Sequence, residues 1–284
     1  MREIVDIRLS EEEASKFLHP GVGKVLSSGW TRQIRVATND PLVEFIRARY
    51  CEHQKKGAFL GNFSVERHYS AKELQSAELF QLKPDILSSE DVGMDFGTVY
   101  DETTTCPYCG AGRKLASEFF FDLRKLPKGK DLIRTIAEDE WLVSARLVKL
   151  IREHGITGAE FIPVKHARKS TFSLPEWYYM KIVGPSVRVA SPTNFGINLF
   201  NSDREGTYRC PLGHVLGLNI LSELSVARDS WNRNDIAFTQ EMVGYRPKDG
   251  VIVPAPLLVI SPRFWQLLVA EKIKGYRVEV THLI

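Results

Sequence analysis

The sequence predicts an α+β protein in which two internally duplicated strand-helix-strand units are joined by a zinc-knuckle site and preceded by an N-terminal α/β region. Two short cysteine motifs and a repeated pattern after each of them support this prediction. The predicted domains are residues 1–104 and 105–284. Within the second domain, the halves are about 105–170 and 205–284, and residues 171–204 form a linker.

Composition sets the class of protein. The chain has 284 residues, of which 43% are hydrophobic and 26% charged, as is ordinary for a globular protein with one large or two modest cores. No apolar run of about 18 residues is present, and the N-terminus lacks a signal-peptide core, so we expect a cytoplasmic protein without a membrane span. A net charge of +3 does not indicate a nucleic-acid binder.

The N-terminal region contains two helix starts. Asp40-Pro41 offers an N-cap oxygen and a proline at the first helical position, and Gly57 is a plausible stop. Ser70 and Glu73 have the spacing of a capping box, which predicts a core-packed helix through residues 74–80. Cys51, in the first of these helices, is expected to be a small buried hydrophobe.

A repeat relates the two halves of the second domain. Residues 144–158 match 261–275 at a constant offset of 117, with a shared serine, arginine and glycine, and residues 131–135 match 235–239 at an offset of 104. Each copy predicts an apolar strand, a serine N-cap, a helix of about three turns, a glycine and a second strand. The predicted second strands are 161–164 and 278–280.

The cysteine motifs are candidate halves of one metal site. The first knuckle (residues 106–110, C-P-Y-C-G) presents two thiolates on a tight turn, a spacing typical of zinc ligation, with a redox C-x-x-C as the alternative. The second knuckle (residues 210–214, C-P-L-G-H) has a glycine where a second cysteine would stand. The predicted ligands of a structural Zn²⁺ are Cys106, Cys109, Cys210 and His214. The alternatives to His214 as the fourth ligand are His19, His53, His68 and His282, but none of them has a spacing from a cysteine that supports this role.

A closed site of three sulfurs and one nitrogen leaves no position for a reacting water, so no catalytic residue is predicted. The sequence also has no dinucleotide-binding, phosphate-loop, zinc-protease or serine-hydrolase motif. We therefore expect a non-enzymatic protein without an organic cofactor. The adjacent acids Asp139-Glu140 are expected on a solvated helix face.

One basic stretch keeps a second function open. Lys125, Lys128 and Lys130 lie close to the first knuckle, and zinc ribbons of nucleic-acid machines use such residues to contact phosphates. The alternative function is thus a zinc-ribbon-like nucleic-acid-binding or adaptor protein. Its simpler interpretation is a solvated loop after the strand predicted at 119–121.

The two knuckles, together with the C-terminal stretch 244–283, resemble the double-CXXCG motif proteins of myxobacteria and their relatives, a group associated with immunity against polymorphic toxins. The resemblance covers about residues 105–284, and the second knuckle departs from it at Gly213 and His214. It implies a non-enzymatic protein that binds and neutralises a cognate protein toxin in the cytoplasm.

Overall fold

The computed structural model describes residues 1–56, 60–87, 92–135, 140–166, 176–216, 219–243, 247–248, 251–252 and 254–284. Within these residues the chain is a mixed α+β protein with five α-helices and several sheets. This confirms the predicted α+β class. The helices in the described part are α1 (Glu11–Phe17), α2 (Pro41–Lys55), α3 (Ala71–Ser76), α4 (Ala145–Glu153) and α5 (Pro262–Ala270). None of these helices has the length and apolar character to cross a membrane.

The strands of the described residues lie before, between and after these helices. In chain order they are β1 (Arg2–Ser10), β2 (Lys24–Val25), β3 (Thr31–Ala37), β4 (Gly61–His68), β5 (Leu79–Ile86), β6 (Tyr100–Asp101), β7 (Lys114–Leu115), β8 (Phe119–Phe121), β9 (Leu132–Arg134), β10 (Trp141–Ser144), β11 (Ala159–His166), β12 (Trp177–Ile182), β13 (Phe195–Asn198), β14 (Asn201–Ser202), β15 (Asn219–Ile220), β16 (Leu224–Val226), β17 (Ile236–Val243), β18 (Pro247–Lys248), β19 (Val251–Ile252), β20 (Ala255–Ile260) and β21 (Tyr276–Leu283).

The chain forms two compact units. Unit 1 contains Met1–Ser76 and Asn194–Glu205, and unit 2 contains Ala77–Thr193 and Gly206–Ile284. Of the predicted linker, residues 171–175 lie outside the described part, and the remainder includes β12, β13 and β14. The domain boundary predicted between residues 104 and 105 concerns which segments fold independently, and it stays a prediction.

Unit 1 is built on a four-stranded antiparallel sheet in the order β2-β3-β1-β4. With α1 after β1 and α2 after β3, this is the β-α-β-β-α-β arrangement of ferredoxin-like folds. Alternate residues of β1, namely Val5, Ile7 and Leu9, lie in the core of the unit. Because side chains alternate across a strand, the intervening Asp6 and Arg8 lie on the opposite face.

Helix α2 begins where the sequence predicts. The Asp40 side chain accepts a hydrogen bond from the Leu42 amide at 2.9 Å, and the helix ends at Lys55; Gly57, the predicted stop, lies outside the described residues. The prediction for Cys51 is wrong, since this residue is exposed. The buried residues of this helix are Val43, Ile46 and Tyr50, which lie in the core of the unit.

Helix α3 is shorter than predicted. The capping box at Ser70 and Glu73 forms, with the Ser70 amide donating to the Glu73 carboxylate at 2.8 Å. However, α3 ends at Ser76 and has no buried residue, and the residues that were expected to complete its apolar face, Leu79 and Phe80, begin β5. Strand pairing with β20 and β21 provides more burial for these residues than a helix surface, and tertiary packing commonly overrides local preference in this way.

Unit 2 contains a large mixed sheet in which one order of strand pairing occurs twice. The path runs β16-β21-β5-β9-β10-β12-β11-β8, and β20 pairs with both β17 and β5. The series β9-β10-β12-β11-β8 therefore has the same order as β17-β20-β5-β21-β16. The last pair of each series, β11 with β8 and β21 with β16, is parallel. In the second series the central strand, β5, comes from the beginning of the unit.

The two copies of the strand-helix-strand pattern have closely similar local structure. Helices α4 and α5 each span nine residues, and each begins at a serine N-cap: Ser144 accepts from the Leu147 amide and Ser261 from the Phe264 amide, both at 3.1 Å. The predicted strands 161–164 and 278–280 lie within β11 and β21, and the predicted strand 119–121 is β8.

Asp131 joins its own copy to the other. The residue is 8% exposed, and its carboxylate accepts from the Ser144 hydroxyl at 2.8 Å and from Arg146 at 3.1 Å. The Lys274 amide, which follows α5, donates to the same carboxylate at 3.4 Å, and Arg146 also donates to the carbonyl of Glu271, the C-cap of α5. A guanidinium at a helix C-terminus is favourable because the helix dipole is negative there.

Asp235 makes the corresponding contacts in the opposite direction. The residue is 4% exposed. Its carboxylate accepts from the Ser261 hydroxyl at 2.7 Å, from Arg263 at 3.1 Å and from the Thr157 amide, which follows α4, at 3.0 Å. Arg263 also donates to the carbonyl of His154, the C-cap of α4. Each copy therefore supplies part of the hydrogen bonding that the buried aspartate of the other copy needs.

Two glycines allow the copies to approach at the backbone. Gly158 and Gly275 both have φ of 102°, and a Cβ on either would lie 2.0 Å from a carbonyl oxygen, that of Ile236 for Gly158 and that of Leu132 for Gly275. Only glycine combines this left-handed conformation with so close a contact.

Candidate metal centre

The first knuckle is a hydrogen-bonded loop in unit 2. The Cys106 amide donates to the Ala111 carbonyl at 2.7 Å, and the Gly110 amide donates back to the Cys106 carbonyl at 2.8 Å. Gly110 has φ of 70°, the left-handed conformation that this turn requires. The loop holds the buried thiols of Cys106 and Cys109 while Tyr108 between them is exposed.

The second knuckle is one residue shorter between its hydrogen-bonded ends. The Cys210 amide donates to the His214 carbonyl at 2.9 Å, and the Gly213 amide donates to the Cys210 carbonyl at 2.8 Å. Pro211 and Leu212 thus occupy the central positions of a β-turn. Gly213 takes the left-handed conformation, with φ of 86°, at the position where a second cysteine was expected. The next residue is His214, whose imidazole Nδ1 lies 3.4 Å from Cys210 Sγ.

The structure brings together the four predicted ligands, and their potential ligand atoms all lie within 4.8 Å of one another. Cys106 Sγ is 3.9 Å from Cys210 Sγ, and His214 Nδ1 is 3.3 Å from Cys109 Sγ and 3.4 Å from Cys210 Sγ. A tetrahedral Zn²⁺ with bonds of about 2.3 Å to sulfur and about 2.0 Å to nitrogen separates its ligands by about 3.8 Å (S to S) and about 3.6 Å (S to N). The donor set and its spacing therefore fit a single zinc ion.

The electrostatics of the site favour a cation. Burial raises the pKa of the Cys106 thiol, but the amides of Tyr108 and Cys109 donate to its sulfur and, with the side chains of Cys109 and His214, bring that pKa to about 6. Burial raises the pKa of Cys109 to about 12, with the Ala111 amide opposing and the neighbouring sulfurs adding to the increase. Several thiolates can be ionised together in this buried space only when a positive charge compensates them.

Apolar side chains surround the sulfurs. Ala111 is buried against the three cysteines, and Leu216 and Met242 pack on the same cluster. None of the three cysteines forms a disulfide. An apolar shell of this kind limits access of water to the ligands and strengthens their interaction with an ion.

The alternative fourth ligands lie elsewhere. His53 contacts Glu13 through Nε2 at 3.0 Å, His282 contacts Glu223 at 2.7 Å, and the ring of His19 accepts from the Gly21 amide at 3.1 Å. Among the described residues, only Cys106, Cys109, Cys210 and His214 form a group of three or more potential metal ligands. The spacing of the second knuckle favoured His214 over these residues, and the structure places His214 beside the sulfurs.

The basic stretch near the first knuckle makes local contacts. Lys130 forms an ion pair with Asp85 at 2.8 Å, and the Lys125 ammonium lies 5.8 Å from the centre of the Phe96 ring. Lys128 is exposed. The contacts of Lys125 and Lys130 agree with the simpler interpretation of this stretch as a solvated loop.

Glu140 is a buried acid that the sequence did not reveal. It was expected on a solvated helix face, but it directly precedes β10 and is 1% exposed; Asp139 lies outside the described residues. Its carboxylate accepts from the Gly93 amide at 2.9 Å and from the Tyr100 hydroxyl. The prediction failed because these partners lie 47 and 40 residues earlier, and no local pattern indicates them.

Comparisons with known proteins do not extend these observations. No protein-family model matches the chain, and a comparison with curated proteins gives no significant match. The likeness to the double-CXXCG proteins thus depends on the two knuckles and the C-terminal stretch alone.

Proposed function

We propose that this chain is a non-enzymatic, zinc-stabilised immunity protein that binds and neutralises a cognate protein toxin in the cytoplasm. The observation that carries the zinc assignment is the convergence of four ligand atoms from two loops 104 residues apart. Cys106, Cys109, Cys210 and His214 would hold the ion, which supplies a structural link between the loops. Four protein ligands complete a tetrahedral site, so no position is left for a substrate or water.

Metal analysis tests the zinc assignment. We expect one Zn²⁺ per chain by elemental analysis, lost in Cys109→Ser and retained in Cys51→Ser, which changes an exposed cysteine far from the ligands in sequence. Cobalt substitution should give the absorption of a tetrahedral ion with three thiolate ligands and no exchangeable water. A wild-type protein without bound metal, or cobalt spectra of an octahedral ion, would contradict the assignment.

We also infer that unit 2 arose by internal duplication, with one knuckle in each copy. The support is the repeated pairing order of the strands, the matching helices α4 and α5, and the reciprocal contacts of Asp131 and Asp235. The offset of 104 that relates these aspartates also relates Cys106 to Cys210. In this proposal the zinc ion joins the two copies as one ligand pair from each.

The toxin-binding part of the proposal comes from the family resemblance. It agrees with a site that has no open coordination position, because a binding protein benefits from a rigid surface and needs no reactive centre. The test is whether the chain binds the purified product of the neighbouring gene and protects cells that express it. A neighbour that neither binds the chain nor harms cells would refute the immunity function and leave the zinc assignment intact.

A further inference from the structure

Two sulfurs of the candidate metal centre, one from each knuckle, lie near enough to form a bond across the site. Cys106 Sγ is 3.9 Å from Cys210 Sγ, and the two residues are 104 residues apart, the offset that also relates the two buried aspartates. A disulfide has an S–S distance of about 2.05 Å, so the sulfurs have to approach by about 1.9 Å. This pair differs from a redox C-x-x-C, in which both sulfurs belong to one loop.

Each knuckle is closed by backbone hydrogen bonds that involve no sulfur. In the first, the Cys106 amide donates to the Ala111 carbonyl at 2.7 Å, and in the second, the Cys210 amide donates to the His214 carbonyl at 2.9 Å. Each loop therefore keeps its local hydrogen bonds when the ligands change, provided that a link between the loops remains. A disulfide between Cys106 and Cys210 supplies such a link, because it joins the same two loops as the ion.

The surroundings of Cys106 favour reaction with a small oxidant. The amides of Tyr108 and Cys109 donate to its sulfur and stabilise the thiolate, which is the reactive form of a cysteine. Cys106 is 6% exposed and Cys210 is 5% exposed. Burial of this degree favours a small oxidant such as hydrogen peroxide over a bulky one such as glutathione disulfide.

From these observations we infer that the metal centre is regulated by oxidation. Hydrogen peroxide joins Cys106 to Cys210 as a disulfide, the Zn²⁺ ion is released, and the disulfide takes its place as the link between the knuckles. The inference rests on the proposed zinc site and adds its regulation.

The reaction has two steps on the cysteine sulfurs. The Cys106 thiolate attacks one oxygen of hydrogen peroxide, the O–O bond breaks, and the products are a sulfenic acid and hydroxide. The Cys210 thiolate then attacks the sulfenic sulfur, the S–O bond breaks, and a second hydroxide leaves as the S–S bond forms. Each sulfur loses one electron, hydrogen peroxide gains both, and two protons from solvent convert the hydroxides into water.

Oxidation leaves too few ligands for the ion. A disulfide sulfur carries no negative charge, and the thiolate is the form in which cysteine ligates a metal. Cys109 and His214, whose Nδ1 lies 3.3 Å from the Cys109 sulfur, remain as two of the four ligands of a structural zinc site. We therefore expect the ion to leave as the disulfide forms.

Treatment of the zinc-loaded full-length chain with hydrogen peroxide tests the inference. Released Zn²⁺ is followed with a colorimetric chelator, and the cysteines are assigned by peptide mass spectrometry without reduction. We expect loss of one Zn²⁺ and gain of one disulfide between Cys106 and Cys210 per chain, at equal rates, and recovery of the zinc-loaded protein after addition of dithiothreitol and Zn²⁺. The circular dichroism spectrum of the oxidised chain should match that of the zinc-loaded chain, because the disulfide replaces the ion.

Two variants provide the controls. Cys51→Ser removes an exposed cysteine outside the ligand cluster and should release zinc as the wild type does. Cys210→His keeps a metal ligand at this position but removes one sulfur of the pair, so it should retain its zinc under the same treatment. If Cys210→His binds no zinc when it is prepared, the disulfide assignment in Cys51→Ser decides.

Zinc retained by the peroxide-treated wild type would overturn the inference and leave the proposed zinc site and immunity function standing. A disulfide between any other two cysteines, oxidation to sulfinic acid without a disulfide, or an unfolded oxidised chain would overturn it as well. So would zinc release from Cys210→His at the wild-type rate. A wild-type chain that holds no zinc before treatment refutes the zinc assignment itself, and the inference with it.

Discussion

The backbone contacts of Gly158 and Gly275 give the sharpest prediction for stability. Alanine at either position meets two costs. A non-glycine residue in the left-handed region costs about 1–2 kcal/mol. In addition, its Cβ would lie 2.0 Å from a backbone carbonyl oxygen, more than 1 Å closer than an ordinary contact, and neither partner is a flexible side chain. Forcing extra volume into a packed region costs about 1–3 kcal/mol or more.

We therefore expect Gly158→Ala and Gly275→Ala each to lower the free energy of unfolding by about 2–5 kcal/mol. The matched control is Gly129→Ala in the same unit. Gly129 has φ of 84°, but an added Cβ would meet no atom within 4 Å, so only the conformational cost of about 1–2 kcal/mol applies. The difference between the variants measures the close approach itself.

Denaturant unfolding of the zinc-loaded proteins, followed by circular dichroism, is the assay. Gly158→Ala and Gly275→Ala should agree with each other because their geometry is nearly the same. If both variants match Gly129→Ala within about 0.5 kcal/mol, the reasoning from backbone contact is wrong. If only one is severely destabilised, the two contacts are not equivalent, which would weaken the case for duplication.

The remaining predictions concern the zinc site and the buried aspartates. Cys109→Ser should abolish metal binding and unfold at least the region of unit 2 that the ion joins, because metal binding free energy in such sites is folding free energy; wild-type thermal unfolding in this variant would rule out a structural metal. His214→Ala should lower both zinc affinity and thermal stability less than Cys109→Ser, since a water molecule can take the place of the imidazole; equal losses in titrations with a competing chelator would contradict this. Asp235→Ala should cost about 1–3 kcal/mol in urea unfolding, because it leaves the Ser261 hydroxyl and the Thr157 amide without their acceptor, whereas Asp229→Ala, which removes an exposed ion pair with Arg188, should cost at most about 1 kcal/mol; equal losses would show that the buried hydrogen bonds of Asp235 contribute nothing beyond an exposed ion pair.

Features that depend on neighbouring residues could be predicted from the sequence. The N-caps at Asp40, Ser144 and Ser261 form as expected, because a side-chain oxygen and the amides it accepts from lie within three residues. The glycine after each repeated helix could also be recognised in the sequence. The reason that glycine is required there could not be predicted, because the carbonyl that each glycine approaches belongs to a strand far away in sequence.

Burial was harder to predict than local structure. The burial of Cys51 and Glu140 was predicted wrongly. Cys51 was expected to be buried and is exposed, and Glu140 was expected to be exposed and is buried. Leu79 and Phe80 were assigned to a helix because their spacing suits one, and the sheet includes them instead. For Glu140, Leu79 and Phe80 the deciding partner is distant in the chain, so that no window of sequence contains both sides of the contact.

The sequence by itself indicated the α+β class, the repeated pattern and the four candidate ligands, because each follows from residue type and short spacing. Only the tertiary structure decided that the two loops, 104 residues apart, meet so that His214 lies beside the three sulfurs, because no local spacing determines that contact. It likewise decided that each buried aspartate obtains a hydrogen bond from the opposite copy. A buried charge must find its donors wherever the fold places them, and sequence order does not limit where that is.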